Sequence, residues 1–122
     1  SLVTDVCVPI SALSASIDKT KKAIEKSGLL APIAGHVGDG NYHLMILFDG
    51  DSDDGLLRAK SLASQVNDIA LDFGGTVTGE HGIGSGKRSY MEREHGEAWS
   101  IMGNIKELFD PNNIMNPGKL VP

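Results

Sequence analysis

Asp39-Gly40 stands between two apolar-leaning segments, Ala31 to Val37 and Tyr42 to Phe48. Such a dipeptide is a strong hairpin signal, because a two-residue turn of the favoured hand needs φ > 0 at both central positions. It predicts an antiparallel pair and fixes its register. With Asp39 and Gly40 as the turn, His36 sits opposite His43, and Ala34 and Met45 are the next pair on that face. Cross-strand partners have Cβ atoms roughly 4.5–5.5 Å apart, close enough for two imidazoles to share one metal ion. The competing reading is two solvent-facing histidines on an ordinary hairpin.

The rest of the chain builds around that hairpin. Asp5-Val6-Cys7-Val8 is rich in strand formers. From Ser11 to Ser27, Leu13, Ile17, Ala23 and Ile24 recur at helical spacing, and Gly28 stands at the C-terminal cap position. After the acidic loop Asp49 to Asp54, a second helix runs to about Phe73, with Leu62, Val66, Ile69, Ala70 and Phe73 on one stripe. Thr76 to Thr78 reads as a short strand, and Gly79 to Lys87 as a glycine-rich loop. Helices are expected near Arg88 to Glu94 and over Glu97 to Phe109, the second presenting Trp99, Met102, Ile105, Leu108 and Phe109 and stopped by Asp110-Pro111. The tail from Asn112 to Pro122 has no periodicity. The fold class is therefore α+β, a ferredoxin-like antiparallel sheet with helices on one face, plus C-terminal helices outside that pattern.

Composition narrows the functions. At 122 residues the chain is sized for one domain. A net charge of −5, with both signs mixed, gives no basic face for nucleic acid. No apolar run approaches the roughly 18 residues of a membrane span. A single cysteine, Cys7, rules out an internal disulfide and suggests an intracellular, reducing environment; its apolar neighbours predict a buried structural thiol. Without an initiator Met or a targeting segment, the chain reads as a piece of something longer.

Imidazole is the commonest side-chain ligand for divalent transition metals, and catalytic sites keep a coordination position open beside about three protein ligands. Glu80 supplies the third if the strand Thr76 to Thr78 lies beside the hairpin. A His2Glu set suits zinc, and also manganese or iron. His81 follows Glu80 and, on extended backbone, points to the other side; it is then free to act as a general base, against a purely structural hydrogen-bonding role. His95 lies in a charged helical stretch and reads as solvated. Gly82 to Lys87 resembles a phosphate loop but fails its pattern, because His81 and Arg88 replace the required Gly and Ser or Thr. Its glycines allow close backbone approach to a ligand, with Lys87 or Arg88 available to an anion; a plain flexible loop is the alternative. Met45, on the histidine face, and Asn41 are assigned to the substrate pocket, against ordinary packing for Met45.

Three blocks now occur in order: His36-Val37-Gly38-Asp39-Gly40-Asn41-Tyr42-His43, Gly79-Glu80-His81-Gly82-Ile83-Gly84, and Asp110-Pro111-Asn112-Asn113-Ile114-Met115-Asn116-Pro117-Gly118-Lys119. Together they resemble the C-terminal part of FAD-linked 2-hydroxy-acid dehydrogenases of the vanillyl-alcohol oxidase type. The likeness is greatest to the cytochrome-linked D-lactate branch, with glycolate oxidase and D-2-hydroxyglutarate dehydrogenase as relatives. It covers nearly the whole chain, and Thr4 to Pro9 fits the same branch.

The resemblance implies that His36, His43 and Glu80 hold a divalent metal, zinc or manganese. It implies that His81 is the active-site base, and that Asn116 and Gly82 serve the cofactor, FAD. It also implies a division of the chain. Residues of about 1–95 would be the ferredoxin-like cap portion, and about 96–122 a helix and tail returning to an FAD-binding domain. That domain lies N-terminal in the family, so the chain alone is expected to be inactive. The implied partners are a small 2-hydroxy acid, the protein's own FAD-binding domain and an electron acceptor such as a cytochrome or quinone. Homo-oligomerisation stays open. The implied location is the bacterial cytoplasm or the mitochondrion, with peripheral membrane association compatible. Two other readings stand beside this one: a stand-alone metal-binding ferredoxin-like module, and a zinc hydrolase with Glu80 or His81 activating water.

Overall fold

A computed structural model of the chain describes residues 1–121; Pro122, the end of the tail, lies outside the described residues. Two compact units divide it, residues 1–80 and 81–121.

The first unit is a three-stranded antiparallel sheet with two helices. In chain order these are β1 (Leu2–Cys7), α1 (Leu13–Ser27), β2 (Ile33–Ala34), β3 (Asn41–Ile46) and α2 (Asp53–Asp72). The strand order β1-β3-β2 places β3 in the centre. Side chains alternate across a strand, and β3 shows it: Tyr42, Leu44 and Ile46 are buried to 1% exposure or less, whereas His43 is half-buried and Met45 exposed. The buried face meets Val6 and Val8 and a helical stripe of Ala59, Leu62, Val66 and Ala70. Burying each large apolar side chain contributes about 1.5–3 kcal/mol, and this core holds the sheet flat against its helices. Its polar members are satisfied. Tyr42 Oη lies 2.7 Å from Ser16 Oγ and 3.1 Å from Thr20 Oγ1, and Thr4 Oγ1 donates to Asn67 Oδ1 at 2.9 Å. Gly28 caps α1 at φ 67°, as its place after the helix predicts, and Ser52 caps α2 by accepting the Gly55 N–H.

Three expectations are corrected in this unit. Asp39-Gly40 is not a two-residue turn. Among these residues only Gly40 has positive φ, 76°, and Val37–Asp39 form a 3-10 turn in which His36 O accepts the Asp39 N–H at 2.9 Å. Ala34 therefore faces His43, displacing Met45, which pairs with Val3 on the other side. The shift is by two residues, which preserves the side-chain face, so His36 stays on the side of His43. Gly40 is required where it stands, since a Cβ there would lie 2.0 Å from Val8 O.

The strand Ala31 to Val37 is reduced to Ile33–Ala34. Pro32 has no N–H to give the ladder; pairing resumes beyond it at the bridge Leu30 to Leu47. The strand Thr76 to Thr78 is a single bridge from Thr76 to Cys7, on the outer side of β1. Thr76 Oγ1 instead accepts the Thr78 N–H at 3.2 Å, a local bond that competes with a ladder. The α+β, helices-on-one-face architecture stands, with its last strand vestigial.

The second unit holds α3 (Met91–His95) and α4 (Glu97–Phe109). The α4 bounds are those predicted, but its apolar residues are not a core: Ile105, Leu108 and Phe109 are 52%, 78% and 80% exposed. Asp110 ends the helix and folds the tail, its carboxylate accepting the N–H groups of Ile114 at 2.9 Å and Met115 at 2.8 Å and contacting Lys106 Nζ. The Lys106 contact, then the Ile114 bond, holds the Asp110 carboxyl below its ordinary pKa. The tail lies along the glycine loop: Leu120 N–H donates to Gly84 O, and Arg88 Nη1 donates to Gly118 O at 2.8 Å. Arg88, expected to meet an anion, thus serves the tail through Nη1. No helix among the described residues is long and apolar enough to cross a membrane.

Candidate metal centre

The site occupies the helix-free face of the first unit's sheet. Strand alternation puts Asp5 and Cys7 of β1 and Asn41, His43 and Met45 of β3 on that face. In register, Asp5 faces His43 and Cys7 faces Asn41. The 3-10 turn brings His36 over the end of β3, where the His36 and His43 rings stand perpendicular with centroids 5.9 Å apart. The bridge at Thr76 returns the chain to β1, and Glu80 ends the unit beside both histidines.

Glu80 Oε1 is 3.7 Å from His36 Nε2 and 3.4 Å from His43 Nε2. One donor atom from each of the three residues lies within 4.8 Å of the others. Two donors on one tetrahedral zinc at ordinary bond lengths would be about 3.4 Å apart. The spacing and the donor chemistry, two imidazole nitrogens and a carboxylate, fit a divalent metal of the zinc or manganese kind. His36 and Glu80 are 63% and 52% exposed at the side chain and His43 22%, so the cluster opens to solvent, as a centre that takes a substrate must.

Beneath the cluster lies a residue the sequence reading passed over as part of a strand. Asp5 is 2% exposed. Its Oδ1 lies 2.9 Å from His43 Nδ1 and accepts Asn41 Nδ2 at 2.7 Å, while its Oδ2 accepts the Glu80 N–H at 2.7 Å. The available signal was a carboxylate in the middle of an apolar strand, opposite a histidine. Gly79 is the consequence: a Cβ there would sit 2.1 Å from Asp5 Oδ2, and its φ is +49°.

Asn41 is buried and gives its amide hydrogens to Asp5 and to Val6 O. With Cys7, His36, Asp39, Gly79 and Glu80 it lines a cavity of about 200 Å³. Met45 shares the His43 face and is exposed. Cys7 is half-buried rather than buried, because it ends β1 on the face no helix covers; its Sγ donates to Asp39 O at 3.2 Å. Desolvation, then the charges of Asp5 and Asp39, raises its thiol pKa. His81, Gly82 and Asn116 belong to the second unit. His81 and Gly82 are exposed in the loop, Gly82 at φ 83°. Asn116 has φ 48° and lines an apolar cavity of about 640 Å³ with Met102, Ile105, Phe109, Met115 and Leu120. His95 is not simply solvated, its Nε2 lying 3.4 Å from Glu94.

Comparison with known proteins places the chain. It is 47% identical over 123 residues to the mitochondrial D-lactate dehydrogenase (cytochrome) of Arabidopsis thaliana, covering 100% of this chain and 22% of that protein. It is 46% identical to a probable mitochondrial D-lactate dehydrogenase of Danio rerio, over 97% of this chain and 24% of the relative. It is 33% identical to the glycolate oxidase subunit GlcD of Bacillus subtilis, over 98% and 26%. The chain thus spans about a quarter of the length of these curated relatives. The family described as FAD linked oxidases, C-terminal domain, matches residues 1–120, and the chain belongs to that family.

Proposed function

We propose that this chain is the metal- and substrate-binding part of a flavin-dependent D-2-hydroxy-acid dehydrogenase of the D-lactate or glycolate type. The observation that carries the reading is the convergence of His36, His43 and Glu80 on one solvent-open point in a member of the FAD-linked oxidase family.

In this reading His36, His43 and Glu80 hold a zinc or manganese ion. That ion, when bound, supplies Lewis acidity toward the carboxylate and hydroxyl of a 2-hydroxy acid. His81 takes the hydroxyl proton on a ring nitrogen. FAD, held mainly outside this chain, would supply the oxidising chemistry as a hydride acceptor when bound. Asn116 and Gly82 are assigned to the flavin side. Met45 and Asn41 are assigned to the substrate side, where Met45 offers apolar surface to a short side chain such as that of lactate. The domain assignment of about 1–95 as cap and about 96–122 as returning helix and tail belongs to the same proposal, with the exposed apolar residues of α4 meeting the FAD-binding part. The longer protein passes its electrons to an acceptor such as a cytochrome or quinone, inside a bacterial cell or a mitochondrion.

The test uses the longer, flavin-loaded protein. His81→Ala is expected to cut turnover on D-lactate strongly with metal content unchanged, whereas His36→Ala loses the metal. Equal metal loss in both would sink this division of roles.

A further inference from the structure

Two ligand-bearing segments reach the candidate centre from different parts of the chain. His43 comes from the central strand, and Glu80 from the turn that ends the first unit. One buried side chain touches both. Asp5 Oδ1 accepts Asn41 Nδ2 at 2.7 Å and lies 2.9 Å from His43 Nδ1, an ion-pair distance off the line of a hydrogen bond. Asp5 Oδ2 accepts the Glu80 backbone N–H at 2.7 Å.

An ionised carboxylate only accepts hydrogen bonds. With its Nδ1 2.9 Å from that acceptor-only oxygen, a neutral His43 ring carries its hydrogen on Nδ1, where a lone pair would meet a second lone pair, and leaves the Nε2 lone pair for Glu80 Oε1, 3.4 Å away. A ligating histidine needs that arrangement, its second nitrogen fixed by an acceptor behind it. We infer that Asp5 is the positioning residue of the cluster: its buried carboxylate sets the His43 tautomer with one oxygen and holds the Glu80 backbone against the sheet with the other. Asn41 and Gly79 complete the device. Asn41 donates twice, to Asp5 Oδ1 and Val6 O, which keeps the carboxylate from rotating. Gly79 leaves the volume that the carboxylate occupies, as a Cβ would sit 2.2 Å from Asp5 Cγ.

The inference rests on reading His36, His43 and Glu80 as metal ligands, so its test has an arm that needs no metal. Nitrogen-15 NMR of the metal-free 122-residue chain at alkaline pH reads the His43 tautomer. The Nδ1–H form is expected in wild type, with a shift toward the Nε2–H form in Asp5→Asn, whose amide puts a donor where an acceptor stood. A wild-type ring in the Nε2–H form overturns the inference, whether or not the variant folds. Zinc titration is the second arm. Asp5→Asn is expected to weaken binding about 10–100-fold, with far-UV circular dichroism unchanged and little further loss when added to His43→Ala. Wild-type affinity in a folded Asp5→Asn overturns the inference and leaves the ligand reading intact. No zinc uptake by wild type overturns the ligand reading, and the tautomer still decides the role of Asp5.

Discussion

The two units of this chain use apolar residues differently. In residues 1–80, α2 sinks Ala59, Leu62, Val66 and Ala70 to zero exposure against a sheet. In residues 81–121, α4 has the same kind of periodicity and no buried residue, and Ile101, Ile105, Leu108 and Phe109 all exceed half exposure. Met91 and Val121 are the buried apolar residues described there. Periodicity reports which face of a helix is apolar, not what covers it. The cluster of His36, His43 and Glu80 belongs to the unit with the core, where a rigid sheet can hold side chains within tenths of an ångström. The second unit holds its shape through local polar contacts instead, chiefly those of Asp110 and Arg88.

The largest effect expected from this contrast is on stability. Leu62→Ala should cost about 2–5 kcal/mol, as deletion from a close-packed core does. Leu108→Ala, at a side chain 78% exposed, should stay within about 0.5 kcal/mol. Urea unfolding of both variants checks this, and equal costs would erase the distinction between the units.

Glycine substitutions sharpen it at a smaller scale. Gly40→Ala meets both a positive φ and a backbone oxygen 2.0 Å from the new Cβ, whereas Gly84 has φ +52° and nothing within 4 Å. The left-handed strain alone is roughly 1–2 kcal/mol. Gly84→Ala should lose about that much and Gly40→Ala clearly more, measured by the same denaturation.

The smallest effects are in titration. Asp110 has its pKa lowered in the folded state, first by the Lys106 contact. A depressed carboxylate stabilises the fold above its unfolded pKa, about 3.9, and that contribution is lost as pH falls through the lower folded value. Stability profiles of wild type and Asp110→Asn should therefore differ at neutral pH and converge in acid. A constant gap between them would contradict the assignment. In the first unit, the raised pKa of Cys7 predicts alkylation by iodoacetamide slower at neutral pH than for a free thiol, accelerating as pH rises.

Much of this was legible in the residues. The helix ends at Gly28 and Asp110-Pro111 were, because these residues act through local chemistry. The His36, His43 and Glu80 grouping was anticipated despite a wrong turn, since a slip of two residues leaves every side chain on its own face. The turn itself was misread because Asp39-Gly40 satisfies the two-residue pattern equally well, and the choice of a 3-10 turn is made by tertiary contacts. One is visible: the Val8 N–H donates to Gly40 O at 3.0 Å. The strand Thr76 to Thr78 failed for a local reason, the threonine hydroxyl taking the ladder's place. Asp5 was passed over because its importance lies in burial and in three partners distant in sequence, none of which periodicity reports.

The central claim is that a preformed metal centre sits on the helix-free face of the first unit. Its most direct test is zinc and manganese titration of the 122-residue chain, wild type against His36→Ala/His43→Ala, by calorimetry with metal analysis of the dialysed protein. Stoichiometric uptake by wild type and none by the double variant is the predicted result. Equal uptake by the two, or none by a folded wild type, would contradict it.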